Sequence, residues 1–78
     1  MKVTVKYFAS MRDRVGRAED VVEIADGSTV ADVWKQVAGD QDLLPNNTLI
    51  AVNMEYTDSK QTLKDGDELA LFPPVTGG

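Results

Sequence analysis

Apolar and polar residues alternate from the start of the chain. In residues 2–8, KVTVKYF, Val3, Val5 and Tyr7 fall on one face and Lys2, Thr4 and Lys6 on the other, the period of a half-buried strand. The period then changes. Met11 and Val15 lie four apart in ASMRDRVG, which puts them on one side of a short helix that Gly16 can end. The segment EDVVEIA returns to alternation and predicts a second strand with Val22 and Ile24 toward the core, left through an Asp26-Gly27 turn. Next comes the clearest helical stripe, with Val30, Val33, Trp34, Val37 and Ala38 at i, i+3, i+4, i+7 and i+8. Thr29 suits the N-cap, Asp32 at N3 puts a carboxylate near the positive end, and Gly39 is a stop. At this spacing Trp34 is a core residue.

Residues 40–48 read as a loop, with Pro45, Asn46 and Asn47 as turn formers. LIAVN predicts a third strand with Ile50 and Val52 inward and Ala51 outward, and residues 53–60 read as polar and turn-rich. Leu63 is an isolated apolar anchor, Lys64-Asp65-Gly66-Asp67 is a turn, and ELALF is the last strand. There Leu69 and Leu71 share one face, Ala70 and Phe72 the other. One main helix packed on one face of a small mixed sheet is an α+β two-layer domain. An N-terminal strand pair, a right-handed helical crossover and a final strand beside the first give the β-grasp arrangement of ubiquitin-like domains. The expected division is a domain over 1–72 and an extended C-terminal tail over 73–78.

Composition narrows the chemistry. The 78 residues include no Cys and no His, so there is no thiol nucleophile, disulfide, zinc-thiolate site or imidazole base. A self-contained enzyme is not expected, nor a bound cofactor or metal. Eight basic against 13 acidic residues give a net charge of −5, which argues against nucleic acid as a partner. Lys2, Lys6, Arg12, Arg14 and Arg17 read as solvated and interleaved with acids. No apolar run reaches the roughly 20 residues that span a bilayer, and the N-terminus reads as a strand, not a signal peptide. No membrane association and a cytoplasmic location are the expectations.

The chemistry concentrates after Phe72, where the chain runs Pro73, Pro74, Val75, Thr76, Gly77, Gly78. The prolines supply no N–H, so they end sheet pairing and hold the exit extended. Six extended residues reach at most about 20 Å. Two glycines make a tip slender enough to carry a carboxylate into a channel closed to larger residues. A carboxylate becomes an electrophile by attacking the α-phosphate of ATP, giving an acyl-adenylate that amines or sulfur nucleophiles open. A partner must supply the catalytic groups.

At these residues the chain resembles the MoaD/ThiS group of ubiquitin-like sulfur carriers, in its branch of molybdopterin synthase small subunits. The resemblance runs nearly end to end and is most specific from Asp65-Gly66-Asp67-Glu68 through Pro73-Pro74-Val75-Thr76-Gly77-Gly78. Phe8-Ala9 with Arg12 and Gly16, Thr29-Val30, Ala51-Val52-Asn53 and Glu55-Tyr56 support it. The resemblance implies that an adenylyltransferase related to ubiquitin-activating enzymes uses ATP and magnesium to adenylate Gly78. A sulfur donor then converts Gly78 to a thiocarboxylate. The large subunit of molybdopterin synthase receives residues 73–78 in its active site. There sulfur passes to cyclic pyranopterin monophosphate, within a heterotetramer of two small and two large subunits.

A docking surface follows from strand alternation. Ala70 and Phe72 point away from the helix-covered face, and Ala51 and Phe8 join them in an exposed apolar patch beside the tail. Phe72, Pro73, Pro74, Val75, Thr76, Gly77, Ala70 and Phe8 are thus the expected partner-binding residues, with Gly78 the reactive one. Alternatively, Phe72 folds back over the sheet edge. Asp65, Asp67 and Glu68 either meet basic groups of a partner or serve the turn and solvent. The competing functions are a carrier for thiamine or amino-acid sulfur insertion, a modifier joined through Gly78 to protein lysines, and an interaction module with an inert tail.

Overall fold

A computed structural model describes residues 1–39, 44 and 47–74. The first alternating segment forms β1 (Lys2–Tyr7), and the short helical pattern forms α1 (Ser10–Val15), closed by Gly16 in the left-handed conformation at φ 84°. There follow β2 (Glu19–Glu23), α2 (Val30–Ala38), β3 (Leu49–Val52), β4 (Glu55–Thr57) and β5 (Glu68–Phe72). Helix α2 begins where its capping residues predict. The Thr29 N–H donates to Asp32 Oδ2 at 2.9 Å and the Asp32 N–H donates to Thr29 Oγ1 at 3.3 Å, a reciprocal capping box. The Thr29 N–H, joined by the Thr29 hydroxyl donating to the same Oδ2 at 3.1 Å, holds the Asp32 carboxyl below the usual carboxylate range.

The strands form one mixed sheet in the order β2-β1-β5-β3-β4. Strand β5 lies at its centre, parallel to β1 and antiparallel to β3, while β1–β2 and β3–β4 are antiparallel outer pairs. This is the expected β-grasp order. Pairing of Val5 with Leu69 and of Ile50 with Leu71 aligns the inward residues of three strands. They pack with Val30, Val33 and Trp34 of α2 into one core that also takes in Tyr7, Met11, Ile24 and Leu63. Leu63 is held by its backbone, its N–H donating to Ser28 O at 2.9 Å.

Tyr7 brings a hydroxyl to the core margin. Its O–H donates to Asp20 Oδ2 at 3.0 Å, and Arg17 Nε donates to the same carboxylate at 2.8 and 2.9 Å. Burial first, then the adjacent carboxylate, pushes the Tyr7 phenol up; the Arg17 hydrogen bond holds Asp20 down.

Two expectations need correction or delimitation. The stretch after β3 contains a strand, β4, reached through a two-residue turn with Asn53 at φ 51° and Met54 at φ 70°. Positive φ at both positions is the hairpin geometry that follows the twist of the strands. The strand leaves little trace in the sequence because it has three residues and no buried side chain. Most of the expected 40–48 loop, including Pro45 and Asn46, lies outside the described residues.

Candidate docking face and the base of the C-terminal arm

Helix α2 covers one face of the sheet, and strand alternation decides what the open face displays. Glu68, Ala70 and Phe72 point there from β5, opposite the buried Leu69 and Leu71. Register sets Ala51 beside Ala70 and Leu49 beside Phe72, and Tyr56 of β4 follows Ala51 across the sheet. Phe8, just past β1, lays its ring on Phe72 with centroids 4.5 Å apart and planes 8° from parallel. The resulting patch is apolar and open: Phe8 is 40 % exposed, Tyr56 75 % and Met54 92 %. Ala51 also lies on this face, as expected, but is buried there, one of the residues lining a cleft with Phe8, Met54, Tyr56 and Phe72. A second cleft, lined by Phe8, Ala9, Leu49, Phe72, Pro73 and Pro74, opens at the base of the arm. Aromatic and Met side chains beside small floor residues suit a protein partner better than a polar small molecule.

The other half of the open face is charged. Lys6 Nζ lies 3.4 Å from Glu68 Oε1, and Lys2 Nζ lies 4.0 Å from Glu23 Oε1. Exposed pairs of this kind contribute about 0–1 kcal/mol each, so their effect is to border the patch with polar groups. The acids of the 64–67 turn have structural partners. Asp65 Oδ1 accepts the Lys2 N–H at 2.8 Å, and Asp67 accepts both the Lys64 N–H at 2.8 Å and Asn53 Nδ2 at 2.9 Å. Asn53 Oδ1 in turn accepts the Glu68 N–H at 3.0 Å, tying the β3–β4 turn to the start of β5. Among the described residues no group of three acidic, His or Cys side chains is placed to hold a metal.

The structure thus brings Phe8, Ala70, Phe72, Pro73 and Pro74 together, with Phe72 stacked inside the patch. Strand pairing ends at Phe72, where the prolines begin. Val75, Thr76, Gly77 and Gly78 lie outside the described residues. Leu49, Met54 and Tyr56 enlarge the patch beyond the expected set. Tyr56 was recoverable only by recognising β4 as a strand, and Met54 only from the turn that β4 creates. Ala9 is a further addition: at φ 50° and ψ −126° it holds a conformation that favours glycine.

Residues 5–78 match the ThiS family. The molybdopterin synthase sulfur carrier subunit of Chlamydomonas reinhardtii is 36 % identical, with both chains fully covered. That of Escherichia coli is 39 % identical, over 97 % of this chain and 99 % of its own. Among solved structures, SAMP1 from Haloferax volcanii superposes with a TM-score of 0.82 at 28 % identity, both chains fully covered. A chain of the complex of subunits 1 and 2 of molybdopterin-converting factor from Helicobacter pylori gives a TM-score of 0.66, also at 28 % identity and full coverage. The match reaches from the first strand through the diglycine, so the β-grasp domain and its arm go together: this chain belongs to the ThiS family.

Proposed function

We propose that this protein is the sulfur-carrier subunit of a molybdopterin synthase. The observation that carries the reading is the full-length match to two sulfur carrier subunits of that enzyme. The apolar face beside the base of the arm supports it. In the proposed cycle a carboxylate oxygen of Gly78 attacks the α-phosphorus of ATP in an activating enzyme, and pyrophosphate leaves. A sulfide-level sulfur nucleophile displaces AMP from the acyl-adenylate, its bond to the carbonyl carbon forming as the bond to the AMP oxygen breaks, which gives the thiocarboxylate. The open face then docks on the large subunit, and the arm delivers the sulfur to cyclic pyranopterin monophosphate. Sulfur is the better nucleophile, and hydrolysis of the acyl link to the pterin restores the carboxylate. The large subunit supplies the catalytic groups.

The test is the intact mass of the chain after incubation with its activating enzyme, ATP, magnesium and a sulfur source. Replacement of one terminal oxygen by sulfur is the expected result. Lysine conjugates without that replacement would overturn the carrier reading in favour of a modifier, the second reading that the likeness to SAMP1 favours. Sulfur transfer that survives an untrimmed extension beyond Gly78 would refute the free-carboxylate mechanism.

A further inference from the structure

The arm leaves the sheet where hydrogen bonding can no longer guide it. Pro73 and Pro74 have no N–H, and each restricts the residue before it to extended backbone, which makes the exit stiff but does not aim it. Its direction is set at Phe72, the last residue of β5. On one side the Phe72 backbone pairs with Leu49 of β3. On the other its ring lies against Phe8, 4.5 Å away and 8° from parallel.

Phe8 is itself fixed at both backbone groups. Its N–H donates to Leu71 O at 3.1 Å, and its carbonyl accepts the Met11 N–H at 3.0 Å. Met11 is buried in the core, and the unusual Ala9 backbone turns the chain directly from Phe8 into α1.

We infer that Phe8 is a positioning residue: its ring, held by the Ala9 turn and the Met11 anchor, clamps Phe72 and fixes the direction in which Pro73-Pro74 presents the terminal glycines. The role rests on the carrier reading, since it concerns delivery of the arm into a partner's active site. It differs from docking because it acts through Phe72 on the arm.

The experiment uses the full chain as parent, Phe8→Leu and Phe8→Tyr. Leucine keeps an apolar side chain without a flat ring; tyrosine keeps the ring. On the free proteins, the one-bond Cα–Hα residual dipolar couplings of Pro73 and Pro74, which report their orientation against the sheet, should collapse in Phe8→Leu and be kept in Phe8→Tyr. With each chain loaded as thiocarboxylate, the single-turnover rate of sulfur transfer is read at saturating large subunit, and Kd separately. Phe8→Leu should slow the saturated rate by about tenfold or more, because small displacements of a reacting group carry large rate costs. Its Kd should move much less, and Phe8→Tyr should restore the rate. A weakened Kd with an unchanged saturated rate would reduce Phe8 to a contact and overturn the clamp. So would unchanged proline couplings in Phe8→Leu. A parent chain that takes up no sulfur overturns the carrier reading itself, and the proline couplings still decide the clamp.

Discussion

Ala9 carries the clearest local strain in the structure, and its cost can be measured. A residue with a Cβ at φ 50°, ψ −126° is destabilised by about 1–3 kcal/mol relative to an ordinary conformation. Ala9→Gly should therefore raise stability to chemical denaturation, by about 1 kcal/mol after the larger entropy of glycine in the unfolded chain is counted. A lower midpoint would show that the turn is not strained. Tyr7 offers a second test at this scale. Its native pKa is raised above the unfolded value, so its contribution is complete below about pH 10 and is lost as pH rises from there toward the native value. The stability of the parent should fall more steeply above pH 10 than that of Tyr7→Phe, measured by denaturation at a series of pH values. The inward direction of Tyr7 was legible from alternation alone. Its partner was not, because Asp20 reaches it only through the register of β1 on β2, which no local pattern encodes.

Adjacent residues of β5 separate stability from recognition. Leu71 is fully buried and Phe72 half-buried on the opposite face. Leu71→Ala should cost about 2–5 kcal/mol by leaving a cavity in the core. Phe72→Ala should cost clearly less stability while weakening binding to the large subunit; calorimetric unfolding and a binding titration on both variants check this. If Phe72→Ala binds as tightly as the parent, the apolar face is not the docking surface. The elements readable in advance were those whose burial stamps a period on the sequence. α2 was complete down to its capping residues, and β1 and β5 declared their inward faces. β4 escaped because its residues are partly or wholly exposed and its turn uses Asn53-Met54, not the glycine that usually marks such a hairpin. With β4 went Tyr56 and Met54, so the patch read from sequence was smaller than the one that exists.

In the whole molecule, α2, joined by Met11 of α1, covers one face of the sheet and leaves the other with an apolar end and a charged end. The apolar end is continuous with the base of the arm, so a partner that grips the face also meets Pro73 and Pro74. That asymmetry was foreseeable, because the sequence supplies one long amphipathic helix for a sheet with two faces. The central place of β5 has a further consequence for how the protein is made. The sheet order leaves β1 and β3 without a shared edge, so the chain before Glu68 can form two separate hairpins but no common sheet. Folding must wait for the last strand to leave the ribosome, and the long sequence separation of its pairing with β1 makes closure one of the slower steps open to so small a domain. A chain interrupted during synthesis before β5 lacks the sheet together with the arm. Every folded copy has therefore already been synthesised at least through Phe72, the residue from which the arm departs.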